Sequence, residues 1–493
     1  MLHARVNIAD VRFGNDGGYD SSSSGGSSPA SSHSGPSESD GSSSTADEFC
    51  SDLREFRRHG SNSSSSSSSV SDSLRPVSDS FACVLDDIDK HQKRMLLLLP
   101  AFSSSAGAGA RADALSRWLV GFDVGWVLDM DASGWAGESL PRREVGRRVR
   151  AWAQALSTME RVFRLRHREL TAAQVTALGE LAAATASAML KLASTVAALG
   201  SSPSKLLAVL DMYVPVSEAF PVLGRLFSWG PSHAVSVATE ATLTDLVDAA
   251  RRCGYDLRAF IRSHYPWRMP QGGEVHPCVG FWMGYFRCML RNRISLCFVL
   301  GSEDDAGDPD ASPLSPGAEG GLSLVTELIL CLEDVLEEKS AALAFPGLRQ
   351  VFMLNNTFAI VRRAMRSDLK LFLPPEWVRV REERMKGYMM GYVDASWAPV
   401  VSRLDGGGTK PSAVLRRRIN RLSTFYSALE NACVAQRRWK VPNPVLRGVL
   451  RKIVSENVVP AYRRYLEDHP EVEVAAGRTA EELEQQLSEL FEG

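Results

Sequence analysis

The chain has 493 residues, with 56 Lys plus Arg against 58 Asp plus Glu and a formal net charge of -2. That balance argues against a general nucleic-acid binder, whose charge would be one-sided. Hydrophobic content of 44% is ample for a large core, and the length admits roughly two to four domains or one elongated one.

Residues 1–75 are expected to be a disordered Ser/Gly-rich segment. Between positions 21 and 70, 23 of 50 residues are serine and large apolar side chains are few. Such a segment cannot bury enough surface to offset its ordering entropy. Only 49–58 reads as a turn or two of helix. The N-terminus lacks the apolar core of a signal peptide, and the eight Cys form no CxxC pair. A reducing cytoplasm with free thiols is therefore expected. No stretch approaches about 18 uncharged apolar residues, so no spanning helix is expected.

From Phe81 the texture changes. Phe81, Val84, Leu85 and Ile88 fall at helical spacing and lead into an apolar run ending at Leu99. Leu115, Trp118 and Leu119 share a face. Across 145–170, Val149, Trp152, Leu156, Met159 and Phe163 repeat the pattern, opposite a solvated arginine face. A small-residue helix over 171–199 is stopped by Gly200-Ser201-Ser202-Pro203, and the next begins near Lys205. Pro266, Pro270 and Gly272-Gly273 break the chain before one buried, aromatic and Cys-rich helix over 281–299. An acidic, Pro/Gly-rich loop over 303–321 precedes the stripe Leu324, Leu328, Leu332, Val335 and Leu336. Gly406-Gly407-Gly408 marks a loop, and Thr479 with Glu482 forms a capping box at the last helix.

Sustained β-branched alternation is scarce, so the fold class is all-α: an elongated rod of stacked antiparallel helical bundles. The segments are 1–75, a short helix and linker over 76–104, and the rod over 105–493. Loops are expected near 266–274, 303–321 and 405–411.

Reaction chemistry finds no foothold. There is no Gly-rich phosphate loop, nucleophile elbow or HExxH, and no catalytic, cofactor-binding or metal-ligating residue is assigned. Cys278, Cys288 and Cys297 are too far apart for a zinc knuckle and read as buried thiols. His276 has no ligand-type neighbour at metal spacing and reads as a cap or packing residue. Trp377, Trp397, Trp439, Tyr388 and Tyr392 lie among basic residues, an arrangement that can stack nucleotides. The spacing of Tyr388, Tyr392 and Trp397 is helical, however, and reads as core; no nucleic acid is expected as a partner.

Val351-Phe352-Met353-Leu354-Asn355-Asn356 is an apolar run ended by two amides, suited to satisfying backbone groups at a helix crossing. Arg437, Arg438, Lys440, Arg447, Arg451, Lys452, Arg463 and Arg464 are opposed within their stretch only by Glu456. Arg416, Arg417 and Arg418, with Lys410 and Arg421, form a second cluster. Both suit an anionic surface, where each cation adds about 1 kcal/mol; the alternative is a solvated or internally paired surface.

Several ordered blocks resemble a known family. Leu332-Glu333 to Lys339-Ser340, Leu348 and the run to Asn355-Asn356 make one block. Glu376-Trp377-Val378 with Arg381, Tyr388, Tyr392 and Asp394 to Trp397 make the next. Trp439-Lys440-Val441-Pro442, Val458-Val459-Pro460-Ala461-Tyr462-Arg463 and the ending from Glu482 to Gly493 follow. Upstream, Ser202 to Leu206, Leu210 to Tyr213 and Val275-His276-Pro277 fit too. Together they resemble the seventy-kilodalton subunit family of the exocyst, the vesicle-tethering complex, and its plant branch most, over roughly 110–493. The residues that carry the signature include Asn355, Asn356, Trp377, Trp397, Trp439 and Pro460.

The resemblance implies a non-enzymatic tethering subunit in exocytosis. It would be cytoplasmic and peripherally associated with the plasma membrane or vesicles. Implied partners are other exocyst subunits, small GTPases and membranes carrying phosphatidylinositol bisphosphate. The chain looks like a short divergent member, with only 81–99 left of the family's N-terminal hairpin. From Tyr465 to Gly493 nine acidic residues accompany a single Arg, Arg478, where family members carry basic residues. An anionic leaflet would repel that tip, which shifts the expected lipid contact to the Arg447 and Arg416 clusters. The alternative is a repurposed adaptor in plant immunity or autophagy that does not tether membranes.

Overall fold

The computed structural model describes residues 78–103, 107–130, 142–263, 267–300, 319–405, 414–473 and 477–492. The readings of 1–75, of 49–58, of the 303–318 part of the acidic loop and of the Gly406-Gly407-Gly408 loop with Lys410 lie outside them. The described residues form helices and turns, and the lone β-type pairing among them is an isolated antiparallel bridge between Lys440 and Glu492. The α-helices are α1 (Ser78–Leu98), α2 (Ala108–Val120), α3 (Arg142–Arg166), α4 (Ala172–Ala198), α5 (Pro203–Leu226), α6 (Ala234–Arg262), α7 (Pro277–Arg291) and α8 (Arg293–Leu300). They continue with α9 (Glu319–Ser340), α10 (Pro346–Met365), α11 (Trp377–Ser396), α12 (Ala398–Val401), α13 (Val414–Gln436), α14 (Pro444–Glu467), α15 (Pro470–Glu473) and α16 (Ala480–Ser488).

The chain divides into two compact units. One takes the described residues within Ser43–Ser263 and Gly284–Ile329. The other takes those within His264–Met283 and Leu330–Gly493.

In the unit that begins the described chain, apolar faces set the packing. Trp118, Phe163, Val149 and Trp152 are buried, and Trp118 meets Phe122 edge-on with ring centroids 4.9 Å apart. The Trp152 indole donates to the Met189 carbonyl at 3.1 Å, tying α3 to α4. Helix α4 starts on a capping box: the Thr171 hydroxyl accepts from the Gln174 N–H, and the Gln174 side-chain oxygen accepts from the Thr171 N–H. Its many alanines admit close neighbours, and Ser194 and Thr242 pair across α4 and α6 at 3.1 Å.

The stop predicted at Ser202-Pro203 has a physical basis. Ser202 caps α5 by accepting from the Lys205 N–H at 3.1 Å. Lys205 is buried, and its ammonium donates to the Leu199 carbonyl just past the end of α4. That is where a helix presents unpaired carbonyls and negative dipole to a cation. Burial still lowers the Lys205 pKa. The Tyr285 hydroxyl donates to the Pro203 carbonyl at 3.0 Å and fastens α7 to the same turn.

Two expectations are corrected here. The single buried helix over 281–299 is two helices with a break at Asn292. The Asn292 side chain donates to the Asp211 carboxylate, and beyond the break Ile294 and Phe298 stand exposed. Helices α4 and α5 are also long and apolar enough, by length and composition, to cross a membrane. More than half of each apolar window is buried within the fold, because both helices pack against neighbours on several sides.

In the other unit, α10 and α11 pack side by side. Glu333 of α9 receives a two-point grip from Arg381 of α11, with Nε to Oε1 at 2.8 Å and Nη2 to Oε2 at 2.9 Å. Arg384 adds a third bond at 3.1 Å. The Arg381 guanidinium lies 3.9 Å from the Trp377 ring centroid, a cation–π placement. Both members of the central pair are buried, and burial outweighs their attraction: the Glu333 pKa is raised and the Arg381 pKa lowered. A pair of this kind adds little net stability, yet breaking it leaves an uncompensated charge. Glu333→Leu is expected to cost about 3–5 kcal/mol in urea unfolding. Glu333→Leu with Arg381→Met should recover most of that loss, and a double variant no more stable than the single would show that the pair is not what holds α9 to α11.

Candidate functional site

Asn355 and Asn356 lie in mid-helix, buried on α10 with Val351, Phe352 and Leu354. The Asn355 amide donates to the Gly273 carbonyl at 2.7 Å and to the Lys440 carbonyl at 2.9 Å. The Asn356 carbonyl accepts from the His276 N–H at 2.8 Å, while its amide donates to the Phe352 carbonyl at 2.7 Å. Two irregular segments, 272–276 and 437–442, are thus pinned to one helix face, and the Lys440 N–H donates to the Gly272 carbonyl at 2.8 Å. Gly273 has φ +80°, and a Cβ there would lie 2.8 Å from Leu348, so this turn requires glycine.

The tryptophans complete the same core. The Trp397 indole donates to the Tyr392 hydroxyl at 2.8 Å, which donates to the buried Gln436 at 2.6 Å. Tyr392 also meets Trp439 and Phe491, with ring centroids 6.3 and 5.9 Å away. Trp377, Trp397 and Trp439 are buried and offer no face for stacking. Pro460, exposed, sits inside α14. His276 is fully buried; its Nδ1 accepts from the Cys278 N–H at 3.2 Å at the start of α7, and its Nε2 has no hydrogen-bond partner. Burial first, then Lys339, lower its pKa to about 4. Cys278 is buried and its thiol is pushed up to about 12 by burial, while Cys288 and Cys297 are partly exposed.

The basic candidates do not form the groups their sequence order suggests. Helix α14 places Arg447 and Arg464 about 25 Å apart along its axis. The Tyr465 hydroxyl donates to the Arg418 carbonyl at 2.9 Å, and Phe425 stacks on Tyr462 with centroids 5.7 Å apart. Arg463 and Arg464 therefore join Arg416, Arg417 and Arg418 at one end of the α13–α14 pair. Arg437, Arg438, Lys440 and Arg447 lie toward the other end.

Many of these cations are engaged within the chain. Lys440 pairs with Glu274 at 3.0 Å, and Lys452 approaches Glu456 at 3.9 Å. Arg447 donates to the Val441 carbonyl at 3.2 Å. Arg451 donates through Nε to the Leu490 carbonyl at 2.8 Å and also pairs with Glu492. Arg463 pairs with Glu481 at 3.3 Å, and Arg418 with Glu471. Arg416, Arg417, Arg437, Arg438 and Arg464 are exposed and form no ion pair with the described residues. The expectation of a uniformly repelled acidic tip thus changes. Three of its carboxylates sit on the basic helices, and Arg478 lies 5.5 Å from the Tyr426 ring centroid. Glu471 and Glu481 are held below the ordinary carboxylate range by their own backbone N–H groups first and by arginine after. For Glu492 the Arg451 hydrogen bond is the leading cause.

No periodicity signals the Glu333–Arg381 pair, the Trp397–Tyr392–Gln436 chain or the return of Leu490 to Arg451, because each joins distant segments. Among the described residues no group of three or more His, Cys, Asp or Glu is arranged to hold a metal ion.

Two outcomes follow from the Asn355 and His276 geometry. Asn355→Leu keeps the volume but strands two carbonyls, and should lower unfolding free energy by about 2–4 kcal/mol. A loss below 0.5 kcal/mol (roughly the noise of an ordinary surface change) would deny the amide this role. His276 titrates near 4 folded and near 6.5 unfolded. The unfolded chain therefore binds more protons in that window, and stability falls as pH drops from 6.5 toward 4, by up to about 3 kcal/mol. His276→Gln, measured by urea unfolding at pH 7 and pH 5, should flatten this dependence.

The chain is similar to known proteins over most of its length. Residues 151–489 match the family model for the C-terminal part of the Exo70 exocyst complex subunit. Among curated proteins of Arabidopsis thaliana, the exocyst complex component EXO70B2 is 27% identical over 369 residues, covering 71% of this chain and 60% of its own length. EXO70B1 is 26% identical, covering 62% and 49%, and EXO70A1 is 26% identical, covering 64% and 51%. The match thus spans about half to three fifths of these relatives. A solved structure of S. cerevisiae Exo70 aligns at a TM-score of 0.47 and 12% identity, covering 91% of this chain and 94% of that one. With more than half of its length inside the family model, the chain belongs to the Exo70 family of exocyst subunits.

Proposed function

We propose that this protein is a non-catalytic exocyst-type subunit that acts in vesicle tethering through protein–protein contacts. The observation that carries the reading is family membership across residues 151–489. The partners are other exocyst subunits and small GTPases. Its place is the cytoplasm, peripherally on the plasma membrane or on vesicles. The plant relatives support assignment to the plant branch, in which this is a short divergent member. Arg416, Arg417 and Arg464, exposed together at one end of α13 and α14, are the residues assigned to phosphatidylinositol bisphosphate membranes. Arg437 and Arg438 supply a second contact of the same chemistry.

A second reading is supported by the ion pairs of Arg418, Arg451 and Arg463 with the C-terminal acids. Engaged cations weaken attraction to a leaflet, which favours an adaptor in immunity or autophagy that does not tether membranes. Affinity purification of the full chain from plant cytosol, paired with vesicle flotation, separates the two. Tethering is expected to recover exocyst subunits and to float with phosphoinositide vesicles, in a manner that weakens with salt. Recovery of immune or autophagy proteins with no flotation at low salt would favour the adaptor, and recovery of neither class would overturn both readings.

A further inference from the structure

One end of the α13–α14 pair gathers five arginines, and the chain's own C-terminal segment covers two of them. Arg418 is taken by Glu471 of α15, and Arg463 by Glu481 of α16 at 3.3 Å. Arg416, Arg417 and Arg464 stand exposed beside them without an ion pair among the described residues. The two covering carboxylates come from different elements and converge on the same end.

The Arg463–Glu481 pair is not what fastens α16, and on α15 the buried Val472 stands beside Glu471. Leu483, Leu487, Leu490 and Phe491 are buried, Thr479 and Glu482 close a capping box, and the Tyr462 hydroxyl donates to the Arg478 carbonyl at 2.7 Å. By contrast the Glu481 side chain is 76% exposed and that of Arg463 50%, and those of Glu471 and Arg418 are 39% and 30% exposed. Solvent-exposed pairs of this kind contribute little to stability and are screened by salt. The fold therefore does not need Glu471 or Glu481 to hold its arginines, and a stronger anion can displace either carboxylate without unpacking the helix behind it. A phosphate monoester, as on a phosphoinositide headgroup, is such an anion, since it accepts two parallel bonds from one guanidinium as a carboxylate does and carries more charge at pH 7.

We propose that Glu471 and Glu481 are internal counter-ions that withhold Arg418 and Arg463 from an anionic phospholipid surface, so that membrane contact exchanges two carboxylates for lipid phosphates and recruits all five arginines. The proposal rests on the membrane reading above and adds its regulation. Release adds two cations to the three already exposed at that end, while Glu467 and Asp468 stand exposed there in both forms. Each cation near an anionic leaflet is worth about fivefold in partitioning, so full release corresponds to about 25-fold at low salt.

The test is flotation of the full chain with phosphatidylcholine vesicles, with and without phosphatidylinositol bisphosphate. Glu471→Gln/Glu481→Gln opens the end. Glu484→Gln/Glu489→Gln removes the same charge from exposed side chains that pair with no described arginine. The opening variant is expected to bind phosphoinositide vesicles about tenfold or more tightly than wild type. The charge-matched control should stay within about twofold, and Arg416→Glu/Arg417→Glu in the opened background should abolish the gain. If wild type floats but the two glutamine variants behave alike, the gate is wrong and the membrane reading survives. If no variant floats at low salt, both fail. Urea unfolding of each variant, expected to match wild type, separates a gating change from a loss of fold.

Discussion

Asn355 makes two hydrogen bonds with one amide, to the carbonyls of Gly273 and Lys440. Both acceptors belong to segments without regular structure, and both run over a buried helix face. The bond to the Gly273 carbonyl is buried, where that acceptor has no helix partner of its own, and the bond to the Lys440 carbonyl is partly buried. Without that donor the buried Gly273 carbonyl would be left unpaired, at a cost of about 1–3 kcal/mol. With the donor in place, the 272–276 turn can lie on α10 and deliver His276 to Asn356. The 437–442 segment can press Trp439 against Tyr392. The chain end follows, since Glu492 bridges to Lys440 and Phe491 packs on Tyr392. One polar side chain thus ties two distant segments to the helix, and the chain end joins them through Lys440, over the core of their unit.

Charge is used in two different ways around that core. The Glu333–Arg381 pair is dry, gripped at two points, and each partner is shifted by burial against its own charge. Such a pair fixes geometry, because its members cannot part without stranding a charge in a low-dielectric interior. The pairs made by Glu471, Glu481 and Glu492 are wet, and hydrogen bonds keep their carboxylates readily ionised. They satisfy local electrostatics at small cost and can be exchanged for other anions. Position relative to solvent, not residue type, decides which role a Glu–Arg pair takes.

What the sequence shows well is local. Helix-start signals are short-range by nature: at Thr479 and Glu482 the hydroxyl and carboxylate meet backbone N–H groups within one turn, and the spacing alone announces it. The apolar stripes of α3 and α9 are legible for the same reason. Readings that depend on tertiary partners fare differently. Asn355 and Asn356 look like the end of an apolar run, yet α10 continues to Met365, because their partners lie 80 or more residues away. The break at Asn292 is invisible without Asp211, 81 residues upstream. The arginines between 437 and 464 look like one patch because they are close in sequence, while a helix of that length carries its ends far apart.

The same separation explains how a chain of nearly neutral total charge can still present a basic end. Acidic residues after Glu467 balance the arginines in any count along the sequence, and three of them do so in space. The balance is local and incomplete: Arg416, Arg417 and Arg464 form no ion pair with the described residues, although Glu467 and Asp468 stand exposed at the same end of α14. At physiological salt a field reaches only about 8 Å, so a surface approaching that end senses the nearest guanidinium groups and not the net charge of the molecule. Apolar side chains of α16 hold the acidic segment in place, which leaves its carboxylates free of any packing duty. On α16 the buried face and the exposed Glu481 are thereby decoupled, so the carboxylate can change partners while the buried face stays fixed.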